Sequence, residues 1–152
     1  MANWQPPLRT HPDTMSGPIA HDAERGNKAL STLDLWAADN DATDASLLQD
    51  PGIRALIVSV AGNSPFLGGL IARDPAFAAR VFCENGDTLF AALLNDLRKD
   101  GPLLRDTPAL MDALRTAKAS IALLTAVMDI AGLWTLDQVT DALSEFAELA
   151  LD

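Results

Sequence analysis

Apolar residues recur along most of this chain at the three-and-four spacing of helices packed against one another. The clearest stretch is Thr107 to Asp152. Leu110, Leu114, Ala117, Ile121, Leu124, Met128 and Ala131 form one helical seam, and Leu123, Val127 and Ile130 lie beside it. From Ile121 onward little polar face is left, which predicts a central place in a bundle. Thr107 is the expected N-cap, Pro108 a good first helical residue, and Gly132 the C′ residue that ends the helix. A second helix follows at once. Thr135 and Gln138 fit a capping box, and Leu136, Val139, Leu143, Phe146 and Ala150 form its predicted buried stripe. Its outer face carries Asp137, Asp141, Glu145 and Glu148, either a solvated face or a docking face for a basic partner.

Upstream, one pattern is repeated. Asp50-Pro51, Ser64-Pro65, Asp74-Pro75 and Thr107-Pro108 each place a capping side chain directly before a proline, and each predicts a helix start. The predicted helices run over about 51–61, ending at Gly62-Asn63, then about 65–73, about 75–84, ending at Asn85-Gly86, and about 87–99, broken by Asp100-Gly101-Pro102. Another is expected from about Lys28 to Ala38, followed by an acidic loop, Asp39 to Asp44. No stretch alternates with period two, so no sheet is expected. The prediction is an all-α, compact bundle of about six to seven helices over residues 29–152, after an irregular proline-rich tail over 1–28.

Composition narrows the function. Apolar residues make up 49% of the chain, enough for a packed core. The net charge of −10 argues against nucleic acid and against anionic membrane surfaces as partners. No apolar run reaches the roughly 18 residues of a transmembrane span, and the N-terminus lacks a basic-then-apolar signal segment. A single cysteine, Cys83, suits a reducing compartment, so the expected location is the cytoplasm. Cys83 sits in an apolar stripe and is expected to be a core residue.

Candidate chemistry is sparse. His11 and His21, ten residues apart in the tail, do not make a metal site alone. With neither histidine in the predicted bundle, a serine or cysteine nucleophile has no base. Gly68-Gly69 falls inside a predicted helix, where close helix contact is a better reading than phosphate binding. Asp129 stands out as a carboxylate in an apolar run near a helix C-terminus, where the macrodipole disfavours it. It should need a partner, either an arginine, with Arg73 a candidate mate, or the N-terminal amides of the next helix. The bland reading of Asp129 is a satisfied bundle contact; the other is contact with a ligand or partner.

Two stretches carry a family resemblance. The first, Ala61 to Phe77, contains Gly62, Asn63, Ser64, Pro65, Phe66, Leu67, Arg73, Asp74 and Pro75 in the pattern G-N-S-P-[FY]-L…R-[DE]-P. The second, Ala113 to Asp152, contains Leu114, Arg115, Lys118, Asp129, Ile130 and Gly132, then Leu136, Val139, Thr140, Leu143, Ser144, Phe146 and Ala147. Together they resemble the N-terminal helical region of the bifunctional glutamine synthetase adenylyltransferase/adenylyl-removing enzymes, over most of residues 45–152. One departure is clear: Thr116, Ala117, Ala119 and Ser120 stand where that family's long helix is arginine-rich, which argues against a basic contact surface on this helix.

The resemblance implies a family with two nucleotidyltransferase cores that use ATP and magnesium. One core adds AMP to glutamine synthetase and the other removes it by phosphorolysis. The glycine-serine turn and paired aspartates of such cores, G-S-x-x-x-D-x-D, do not occur in these 152 residues. The expectation is therefore a non-catalytic helical part without a cofactor of its own, ending before the adenylyl-removing core. It would support that core and help position glutamine synthetase, with self-association as another way to cover apolar surface. Asn63, Arg73, Asp129, Asp137, Asp141 and Glu145 are its candidate partner or interdomain contacts. The alternative is a free-standing all-helical interaction module whose binding surface is the acidic face of the last helix. An independent small enzyme has no acid/base pair or metal cluster to support it.

Overall fold

A computed structural model describes residues 18–40, 45–103 and 106–151. Among the described residues eight α-helices follow one another: α1 (Ala23–Asp39), α2 (Ala45–Leu48), α3 (Pro51–Asn63), α4 (Pro65–Arg73), α5 (Pro75–Cys83), α6 (Gly86–Asp100), α7 (Thr107–Ile130) and α8 (Leu136–Leu151). A short 3-10 turn, Gly101–Leu103, follows α6. No strand occurs among the described residues, as the all-α reading expects.

The breaks between helices have local causes. Asp50 accepts hydrogen bonds from the amides of Gly52 and Ile53, Ser64 from Leu67, and Asp74 from Phe77. Each cap precedes a proline, which holds the residue before it out of the helical region. Ser64 closes α3 while opening α4, and Asp74 closes α4 while opening α5, so no linker separates these helices. The chain bends by 119° between α3 and α4.

The predicted stop at Gly62-Asn63 is corrected. Both residues remain helical because Gly62 does not adopt a left-handed conformation, and Ser64 makes the break. The fourth Pro start also differs. Asp106 is the N-cap of α7 and makes no side-chain capping bond. Asn85 ends nothing by itself: it caps α6 through the Thr88 amide.

The first helix starts earlier than predicted, at Ala23 instead of Lys28. Asp22 caps it through the Arg25 amide, and Glu24 in the first turn suits the helix dipole. Helix α2, a single turn absent from the prediction, seats Leu48 in the core. Trp4, Pro6, Pro7, His11, Pro12 and most of the acidic loop lie outside the described residues.

The core gathers Leu33 from α1, Ile53, Leu56 and Ile57 from α3, Ile71 from α4, Phe82 from α5, and Leu124 and Met128 from α7, all essentially without solvent contact. Helix α1 packs most extensively on α3. Cys83 is buried, as expected. The central role predicted for the second half of α7 holds, since Ile121, Leu123, Leu124, Val127 and Met128 are all buried.

The α7–α8 junction is a Schellman turn. Gly132 has φ 70°, its amide bonds the Asp129 carbonyl, and the Leu133 amide bonds the Met128 carbonyl. The turn delivers Trp134 edge-on to Phe90, with ring centroids 6.0 Å apart, and fixes where α8 begins. The capping box then forms as predicted: the Thr135 amide donates to Gln138 Oε1 and the Gln138 amide to Thr135 Oγ1.

Candidate functional surfaces

The N-terminal segment is tied to the end of α3. Asn63 Oδ1 accepts from the His21 amide at 2.9 Å, and its Nδ2 reaches the carbonyls of Ile19 and Ser59 at 3.1 and 3.0 Å. Buried Ser59 donates to the Pro18 carbonyl at 2.6 Å. Arg25 reaches across from α1 to the Ala61 and Gly62 carbonyls at 2.8 and 2.7 Å. Gly62 is the contact point: a Cβ there would lie 2.6 Å from Ala20 Cβ and 2.9 Å from the Asp22 carbonyl oxygen. Asn63, a candidate for partner contact, is thus engaged within the chain, and so are its motif neighbours. Gly62 admits the strap, Asn63 clamps it, and Ser64 and Pro65 start the next helix.

Asp129 is exposed and makes no ion pair with Arg73 or any other described residue. The expectation that Asp129 needs a partner is corrected: the apolar run around it in sequence does not bury it, and its side chain is exposed to solvent. The Gly68-Gly69 expectation also fails. A Cβ at Gly68 would meet Ala61 at an ordinary 3.6 Å and one at Gly69 would meet nothing, so neither glycine is needed for close helix contact.

The principal ion pair was not legible as a motif. Arg54 of α3 grips Asp34 of α1 with two hydrogen bonds, 2.9 and 3.1 Å. The Arg54 guanidinium lowers the Asp34 carboxyl below its ordinary value. Residues 34 and 54 are twenty apart, and no local spacing links them.

Helix α8 holds the largest departure from the prediction. Of its expected buried stripe, Leu136 is 76% exposed and Leu143 45% exposed, and Val139, Phe146 and Ala150 are only half-buried. Ala142 is its one buried residue. An amphipathic pattern states which face is apolar; the described part of the chain does not supply enough surface to cover it. Two apolar clefts flank the helix. One, about 440 Å³, lies between α7 and α8 beside Ile121, Leu143, Phe146 and Leu151. The other, about 410 Å³, lies beside Leu97, Leu110, Leu114 and Leu149. Asp137 and Asp141 are exposed on the polar side, and Glu145 meets Arg98 of α6 at 3.3 Å.

A third cleft, about 280 Å³, lies where α4 and α5 meet the middle of α7 and includes Arg73. Among the described residues no group of three or more acidic, histidine or cysteine side chains is arranged to hold a metal ion. No single described helix is long and apolar enough to cross a membrane.

Fold and surface together define an all-helical module with one amphipathic helix incompletely covered. Residues 54–152 match the family model for glutamate-ammonia ligase adenylyltransferase, and the chain belongs to that family. Relatives named bifunctional glutamine synthetase adenylyltransferase/adenylyl-removing enzyme occur in Rhodopseudomonas palustris strain HaA2 and in Bradyrhizobium diazoefficiens. The first is 34% identical over 87% of this chain, the second 35% identical over 82%. A relative of the same name from Caulobacter vibrioides is 38% identical over 62% of the chain. The chain spans only 14% of the length of the first two. No solved structure matches it.

Proposed function

We propose that the chain is the non-catalytic helical part of an enzyme that adenylylates and deadenylylates glutamine synthetase, and that it supports the adenylyl-removing core by packing against it. The uncovered apolar face of α8 carries this reading. Leu136 and Leu143 are exposed on the most strongly amphipathic of the described helices, and Leu143 lines one of the two apolar clefts beside it. Covering a Leu side chain is worth about 1.5–3 kcal/mol, so a neighbouring domain docked along α8 gains several kcal/mol. The relatives are about six times longer than this chain, and on this reading their remaining length supplies that neighbour. ATP and magnesium belong, on this reading, to the cores and not to this module.

The test is direct. The chain mixed with magnesium, phosphate and adenylylated glutamine synthetase is expected to release no ADP. Added in trans to a relative's enzyme lacking the corresponding helices, it is expected to bind and restore removal of AMP. Turnover by the chain alone would refute the non-catalytic role, and failure to bind the remainder would refute the docking role.

A further inference from the structure

The cleft between α4, α5 and α7 brings together Arg73 and Arg115, forty-two positions apart in sequence, with the hydroxyl residues Thr116 and Ser120 and an apolar wall that includes Phe77. In a chain of net charge −10, arginines ordinarily find acids. Arg25, Arg54, Arg80 and Arg98 each do so, at 3.4, 2.9, 2.9 and 3.3 Å. Arg73 makes no ion pair or side-chain hydrogen bond among the described residues. Arg115 has only Asp112, one helical turn back, at 3.2 Å, and both side chains are about three-quarters exposed (73% and 75%). Such a pair is worth little and is readily exchanged. One oxygen of Asp74, the carboxylate that lines the cleft, is engaged in capping α5 through the Phe77 amide.

We propose that this cleft binds an oxyanion group, phosphate or carboxylate, held between the Arg73 and Arg115 guanidiniums. Guanidinium forks match the two coplanar oxygens of either group and bind them by paired charge-assisted hydrogen bonds. Thr116 and Ser120 place hydroxyl donors on the same side of α7, one turn apart. Phe77 and Leu70 line the same cleft, so the anionic group is carried on a small or partly apolar body. This cleft shares no lining residue with the two clefts beside α8, and either assignment stands if the other fails.

The test is a nuclear magnetic resonance titration of the whole chain at constant ionic strength, once with inorganic phosphate and once with glutarate. Saturable shifts are expected in the Arg73 and Arg115 Nε–H signals and in the Thr116 and Ser120 amides. R73A and R115A should each weaken binding by roughly tenfold or more, and R73K, which keeps the charge but not the fork, should lose much of it. Both arginines are exposed, so circular dichroism of the variants should be unchanged. Tighter phosphate binding identifies a phosphoryl ligand, and tighter glutarate binding a carboxylate. Shifts that rise linearly with either salt, or that persist in the R73A/R115A double variant, would overturn the proposal.

Discussion

Replacing Gly62 with alanine decides whether the N-terminal strap is part of the fold. Gly62 lies in the last turn of a helix with ordinary helical geometry, so propensity alone predicts that alanine stabilises by up to about 1 kcal/mol. The structure predicts the opposite sign. The new Cβ would sit 2.6 Å from Ala20 Cβ and 2.9 Å from the Asp22 carbonyl oxygen. That oxygen accepts the Gly26 amide in the first turn of α1 and cannot retreat freely. Relief requires the strap to lift.

Lifting it weakens the Asp22 amide bond to Gly62, the two Arg25 bonds to Ala61 and Gly62, the Ser59–Pro18 bond and the His21–Asn63 bond. At about 0.5–1.5 kcal/mol each, with partial rescue by water, these sum to roughly 3–5 kcal/mol. After the propensity gain, the net loss is about 2–4 kcal/mol. For a chain of this size each kcal/mol moves the midpoint by about 2–4 °C. Urea and thermal denaturation give the stability, and amide exchange of residues 19–26 locates the change. G62A and N63A should be far from additive, since both release the same strap. A G62A variant as stable as the parent, or more stable, would refute the account of this motif.

Other outcomes follow from the same geometry. Phe82, with no solvent contact, should cost about 3–5 kcal/mol when changed to alanine, read by urea denaturation. T135A should cost about 1 kcal/mol by breaking the capping box, and T135S should recover most of it. D34N should cost at most about 1 kcal/mol, because the Asp34–Arg54 pair is about one-third exposed. Since Arg54 lowers the Asp34 carboxyl below its ordinary value near 3.8, the pair's contribution is complete above that pH and is lost as pH falls through the lower, folded value. An acid titration of stability should therefore be shallower in D34N than in the parent.

What the sequence made legible was local. The Asp50, Ser64 and Asp74 caps, the Thr135–Gln138 box and the left-handed Gly132 each depend on residues within one turn, and each appears as predicted. Contacts between distant segments were not legible. Nothing near Asn63 indicates that its partners lie at His21 and Ile19, and nothing near Asp34 indicates Arg54. The start of α1 was readable from Asp22 followed by Glu24, but the prolines before it drew the boundary too late. Helix α8 shows a different limit. Its period correctly gave an amphipathic helix, yet burial depends on a surface that periodicity does not specify. Asp129 was misjudged for the same reason: an apolar neighbourhood in sequence is not burial in space.

The docking role of α8 is tested most directly by amide exchange of this chain alone and in the presence of a relative's enzyme that lacks the matching helices. The account predicts that α8 amides around Leu136 and Leu143 become protected when the remainder is added, and that L136D/L143D abolishes the protection without unfolding the chain. Unchanged exchange along α8, with the remainder folded and present, would contradict it.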